Sequence, residues 1–291
     1  MNDSYRSSDE LKSKVKQWLV ATGYPLEMRV ATVFRARNPM MLTQGGHYLD
    51  PSTGGVRETD IEVLWMQMTE RLAILALYVI VECKAGDQPW VLFADPDTQE
   101  YIEVGYYNFA VSASAEPDDD RLVGSVHDQI LGHGAPLFEG PTPACYGIVQ
   151  MKGRPNSADK GDERNEAYDA VRQAASGAVG ALRDLKPSTE PPSLHYAVPV
   201  VVTTHPLYIS SLDAEGEVVV EPTDSGCLLV RPAGSADSIL VHVLHESGLE
   251  RWADLCEETA SAFEGVELHD GRVLRPARKA RRLVRRIAGR S

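Results

Sequence analysis

The chain has 291 residues, 43% of them hydrophobic and 24% charged, a balance that suits a globular core and excludes a chain too polar to fold. Nowhere do roughly 18 apolar residues run unbroken, and residues 1–16 are polar and charged, so neither a membrane span nor a secretory leader is expected. The formal net charge is −13, yet nine of the 29 basic residues fall within 271–291, leaving 20 against 42 acidic residues before them. An acidic body with a basic tail warrants a partner hypothesis without identifying the partner. The expected location is cytoplasmic.

In chain order, Ser8-Asp9-Glu10 precedes an apolar series at Leu11, Val15, Trp18 and Leu19, which predicts a capped amphipathic helix ended by Gly23. A second helix starts at Tyr24-Pro25 and stops near Asn38-Pro39, with Pro in its first turn. The period then changes. Residues 46–49 read as a short strand, residues 50–55 as a turn, and residues 60–66 and 72–84 as two longer strands. Their connector, 67–71, is short enough for an antiparallel hairpin. Residues 89–93 form a further strand, and 95–137 read as helix and loop.

Residues 144–151 return to strand, 165–185 form an alanine-rich helix, and 186–192 form a proline-bearing connector. Strands follow at 197–203, 207–212, 217–220, 227–231 and 239–244, with a helix over 249–263. Interleaved helices and strands without a repeat predict one α/β domain over 1–270 with a central mixed sheet. A sub-boundary near 186–192 stays open, and 271–291 is a separate basic tail. The four cysteines, Cys83, Cys145, Cys227 and Cys256, are dispersed and read as reduced, buried thiols. The eight histidines show no ligand spacing.

The hairpin carries the chemistry. A turn over 67–71 pairs residues whose numbers sum to about 140, which sets Asp60 opposite a residue near Glu82. Side chains two apart on a strand share a face, so Glu82 and Lys84 point the same way. Two carboxylates at the end of the apolar run Val79-Ile80-Val81 repel unless a cation or proton neutralises them. Mg²⁺ accepts a few carboxylates while keeping waters, and a nearby Lys can orient an attacking water and offset charge on a phosphate. The bland alternatives are an ordinary ion pair between Glu82 and Lys84, and a helix-dipole role for Glu27. Glu62 competes with Asp60 for the same place, and Asp60 is preferred because it stands at the start of its strand.

The runs Arg57-Glu58-Thr59-Asp60-Ile61-Glu62-Val63 and Val79-Ile80-Val81-Glu82-Cys83-Lys84-Ala85 resemble the PD-(D/E)XK nuclease superfamily. Tyr48-Leu49-Asp50-Pro51 with Gly54-Gly55 is similar to the strand and turn before that motif in restriction-endonuclease-like members. The resemblance covers mainly residues 24–93. It implies a restriction-endonuclease-like core in which Asp60 and Glu82 bind Mg²⁺, with Mn²⁺ able to substitute and the Cys83 carbonyl as an additional ligand. It further implies Lys84 as the catalytic lysine, Glu27 as a helix carboxylate beside the metal, and Gln173 as a weaker candidate on the later helix. The implied activity is phosphodiester hydrolysis, foremost of DNA, in bacterial defence or repair, with a protein partner or homodimer as further options. The alternative is a catalytically inactive nuclease-like fold serving as a binding or assembly subunit.

Overall fold

The computed structural model describes residues 3–20, 22–50, 53–68, 74–95, 98, 110–112, 128–138, 143–151, 165–184, 193–232 and 238–266. The basic tail, the 186–192 connector and most of 95–137 lie outside these residues, and so do the expectations placed on them. The longer helices are α1 (Asp3–Val20), α2 (Tyr24–Arg35), α3 (Glu166–Asp184) and α4 (Leu249–Ala262). The strands are β1 (Met41–Leu49), β2 (Val56–Met68), β3 (Ile74–Lys84), β4 (Trp90–Ala94), β5 (Ala110–Ser112), β6 (Ala144–Gln150), β7 (Ser193–Thr203), β8 (Leu207–Leu212), β9 (Val218–Thr223), β10 (Ser225–Val230) and β11 (Ile239–His245).

They form one mixed sheet in the order β1-β2-β3-β7-β11-β10-β6-β4-β8-β9, with β5 paired to β7. The β1–β2 and β2–β3 ladders are antiparallel, whereas β3–β7 and β7–β11 are parallel. The central strands β3 and β7 are buried on both faces, which explains their near-continuous apolar sequences. On one face Leu77, Val79, Val81, Val198 and Val200 pack against Leu26, Val30 and Phe34 of α2 and Trp252 of α4. On the other, Ile80 and Ala197 meet Ala178 of α3, and Val201, Val241 and Val243 meet Ala170, Val171 and Ala174. The chain is α/β, with a large mixed sheet flanked by helices. All four cysteines are buried thiols that form no disulfide.

Several boundaries move. The first helix begins at Asp3, so the expected cap at Ser8-Asp9-Glu10 is interior. There Asp9 and Glu10 instead pair with Lys12 and Lys14 at 3.3 and 3.0 Å, one turn along the helix. Its Leu11, Val15 and Trp18 are exposed, because amphipathic spacing reports a helical period and not what covers the apolar face. The first strand starts at Met41 rather than residue 46, continuing through Gly45 at φ +68°, where a glycine tolerates the left-handed conformation. The hairpin strands are longer on the β2 side, and five residues, 69–73, separate them. Met68 pairs with Ile74 and Ile61 with Val81, a shift of two from the expected register. Strand β5 lies within the stretch expected to be helix and loop.

The packing of α3 depends on its small residues. A Cβ at Gly177 would lie 3.0 Å from Ile80 Cγ2, and one at Gly180 would lie 2.5 Å from Tyr48 Cδ2. The helix therefore lies close on the sheet, and its first turn is held near the ends of β3 and β6. Gly180→Ala is expected to destabilise the fold by about 1–3 kcal/mol through overpacking, although alanine favours a helix by about 1 kcal/mol. Urea unfolding reads the net effect, and a higher midpoint would show that Tyr48 yields at no cost.

Candidate functional site

The site forms where β2 parts from β3. Their ladder closes at Ile61 and Val81, and the next residues on either strand are Asp60 and Glu82. Past that pair, the Asp60 carboxylate takes over the sheet's role. Its Oδ2 accepts the Cys83 backbone N–H at 2.6 Å. An end-of-strand donor is thereby satisfied by a charged acceptor, a stronger bond than a neutral one. Ile80 and Ala197 pack with Ala178 of α3, and strand alternation carries Glu82 and Lys84 to that same α3 side. Lys84 Nζ sits 2.6 Å from Glu82 Oε1.

Burial sets the electrostatics. Glu82 is only 8% exposed. Loss of water, followed by repulsion from Asp60, pushes its carboxyl up to about 7, while the Lys84 ammonium acts in the opposite direction. Asp60 is raised as well, chiefly by burial, with the Cys83 N–H and Lys84 pulling it back. For Lys84, burial favours the neutral amine, but Glu82 and Asp60 outweigh it and hold the ammonium charged above the ordinary lysine range. Glu27, in the first turn of α2, is partly buried and is raised by burial and then by Asp60 and Glu58. The four residues singled out from sequence thus act on one another.

Glu62 is one pair inside the last ladder pair, opposite Ile80, and accepts the Thr59 hydroxyl at 2.7 Å. Asp60, not Glu62, meets the end of β3. Gln173 Oε1 is buried and has no hydrogen-bond partner among the described residues. It lies one helical turn from Gly177, whose Cβ position faces Ile80 and Thr59. The Cys83 thiol is driven well above its usual range by burial and then by the neighbouring carboxylates, so it stays protonated. Any bond from this residue to a cation would fall to its carbonyl. Among the described residues, no three His, Cys, Asp or Glu side chains stand close enough to hold an ion as they are arranged.

Comparison with protein-family models, with curated proteins and with solved structures finds no match. The chemistry of the site therefore rests on its own geometry.

Two carboxylates were missed by sequence reasoning. Glu58 acts on both Glu27 and Asp60, and Glu166, in the first turn of α3, acts on Lys84. Glu58 stands two residues before Asp60 in the motif and could have been noticed on that ground. Glu166 carries no local signal beyond an acid near a helix start.

A carboxyl held at about 7 keeps a proton in the folded protein that the unfolded chain releases near 4.5. Native stability should therefore fall as pH rises between those values and level off above them. Glu82→Gln removes this loss, so the Tm of the variant relative to wild type should climb from pH 4.5 to pH 7.5 without added divalent cation. A Tm difference that stays constant over that range would contradict a raised Glu82 carboxyl.

Proposed function

We propose that this protein is a metal-dependent nuclease that hydrolyses phosphodiester bonds, with DNA as the leading substrate. The observation that carries the reading is the convergence of Asp60, Glu82 and Lys84 where β2 leaves β3, with Lys84 Nζ 2.6 Å from Glu82 and Asp60 tied to Cys83 at 2.6 Å. The donor chemistry fits a hard divalent cation. Two carboxyls raised chiefly by burial, with Asp60 adding repulsion on Glu82, gain from a shared positive charge, and each is engaged through one oxygen while carrying a second. Asp60 Oδ1, Glu82 Oε2 and the Cys83 carbonyl are the groups that would hold Mg²⁺ or Mn²⁺, with Glu27 nearby, directly or through water. When bound, such an ion would lower the pKa of a coordinated water and polarise a phosphoryl oxygen.

The chain's own groups supply the rest. Lys84 stays charged in the site, and an ammonium beside the carboxylates can orient water and offset negative charge on a phosphate. Among the described residues the buried Gln173 amide oxygen has no partner, and on the α3 side of the sheet it is suited to positioning a water or a nucleotide. The nine basic residues of 271–291 would add salt-dependent phosphate contacts that the acidic body lacks. The resemblance to restriction-endonuclease-like enzymes supports the same reading, with bacterial defence or repair as its proposed setting and the cytoplasm as its proposed location. No described helix is long and apolar enough to cross a membrane.

A second reading is a nuclease-like fold retained as a binding or assembly subunit. It draws on the acidic body, which repels free nucleic acid, and on the Lys84–Glu82 pair, which already neutralises one carboxylate. The two readings separate in one experiment. Wild type should cleave DNA with Mg²⁺ or Mn²⁺, and Lys84→Ala and Glu82→Ala should each lose roughly 10²–10³-fold in rate. Equal cleavage by wild type and Lys84→Ala would sink the nuclease reading. So would no cleavage of any DNA or RNA substrate combined with no cation binding dependent on Asp60 and Glu82.

A further inference from the structure

On the face of the sheet away from Glu82 and Lys84, α4 roofs a cavity of about 190 Å³. His242, Leu244 and Ser225 line its floor. Ser225 of β10 pairs with Leu244 of β11, and Cys227 pairs with His242, so these side chains share a face. His242 stands in register with Val200, and Val200 with Val81, one position before the row that carries Glu82 on the other face. Trp252 and Leu255 of α4 lie above, and Leu137 of the short turn Pro136–Phe138 closes one side. The Leu137 N–H ties that turn to the helix by donating to the Thr259 hydroxyl at 3.0 Å.

His242 is 2% exposed. Burial pushes its imidazole down to about 3, so the ring is neutral and carries one proton. The Trp252 indole N–H donates to Nδ1 at 3.4 Å, which leaves that proton on Nε2. Among the described residues the His242 Nε2 has no hydrogen-bond partner. A buried N–H without an acceptor opposes folding, and an occupant of the cavity can supply one. The solvent end is already neutralised. Arg251, 70% exposed along its side chain, has Nη2 3.2 Å from both Asp224 carboxylate oxygens. The Ser225 hydroxyl donates to the same carboxylate at 3.2 Å.

These features restrict the occupant. A buried water needs roughly two to four polar partners, and the inner end offers one N–H between leucine and indole walls. A charged ligand would meet no net countercharge, because Arg251 and Asp224 offset each other. A cavity of roughly 150 Å³ is enough for benzene, so about 190 Å³ admits one ring with a small substituent. We infer that this cavity is a binding site for a small uncharged ring compound whose carbonyl or ring-nitrogen acceptor takes the His242 N–H. The site lies across the sheet from the carboxylates and does not depend on the nuclease reading.

The test adds two probes to the full chain: acetophenone, whose ring carries a carbonyl, and cumene, a hydrocarbon of similar shape. The reporter is the Trp252 indole N–H signal in proton–nitrogen correlation spectra, assigned by its loss in Trp252→Phe. Acetophenone should shift that signal saturably, with a Kd on the order of 1 mM or tighter. It should bind roughly tenfold more tightly than cumene. His242→Phe removes the donor at similar volume and should bring the two probes to within about twofold of each other. Leu255→Trp, at a half-buried position, should fill the cavity and abolish binding of both while the remaining spectrum stays that of a folded protein. Equal affinity of wild type for the two probes would mean an apolar void without acceptor recognition and would overturn the proposal. So would acetophenone binding that Leu255→Trp leaves intact, because the probe would then sit elsewhere. No saturable shift with acetophenone up to about 10 mM would show a cavity that holds only solvent, and the proposal would fall.

Discussion

The hydrogen bond from the Cys83 N–H to the Asp60 carboxylate is the constraint on which the site depends. Beyond Ile61 and Val81 the two strands no longer exchange ladder bonds, and a buried N–H left unpaired there would cost roughly 1–3 kcal/mol. Asp60 removes that penalty with its side chain. In doing so it fixes a carboxylate next to Glu82, and its repulsion adds to burial in raising the Glu82 carboxyl. Lys84, two residues on and on the same face, pulls the Glu82 carboxyl back down through its charge and its hydrogen bond.

Around this point the protein concentrates charge where its most apolar strands end. Val79 and Val81 face the α2 side of the core while Ile80 faces α3, so Glu82 emerges from packing that is dry on both faces. A carboxylate there works against stability, and such conflicts between local chemistry and packing are found where function requires them. The closeness of α3 sharpens the conflict. Glycines at 177 and 180 let the helix lie on Tyr48 and Ile80, which brings its first-turn acid and its Gln173 to the side of the sheet that carries Glu82 and Lys84.

Much of the site was legible because it is built on strand periodicity. Glu82 and Lys84 share a face in any extended segment, and a short hairpin brings the start of one strand to the end of the other, whatever the neighbours. The register was off by two, since turn length cannot be read closely from residues 67–73, yet the error was small enough that Asp60 still met Glu82. The apolar stripe of α1 was legible as a helix but not as an exposed one, since spacing is blind to what lies opposite.

The sequence by itself thus determined the alternation of helices and strands, the shared face of Glu82 and Lys84, and the adjacency of Asp60, all of which follow from backbone periods and short loops. Tertiary structure alone decided the order of strands, the insertion of β7 between β3 and β11, and the approach of Glu166 to His205. Glu166 lies 82 positions along the chain from Lys84, and only the folding of α3 onto the sheet brings its charge into the field at that lysine. Contacts of that separation are set by packing and burial, which no local pattern of residues encodes.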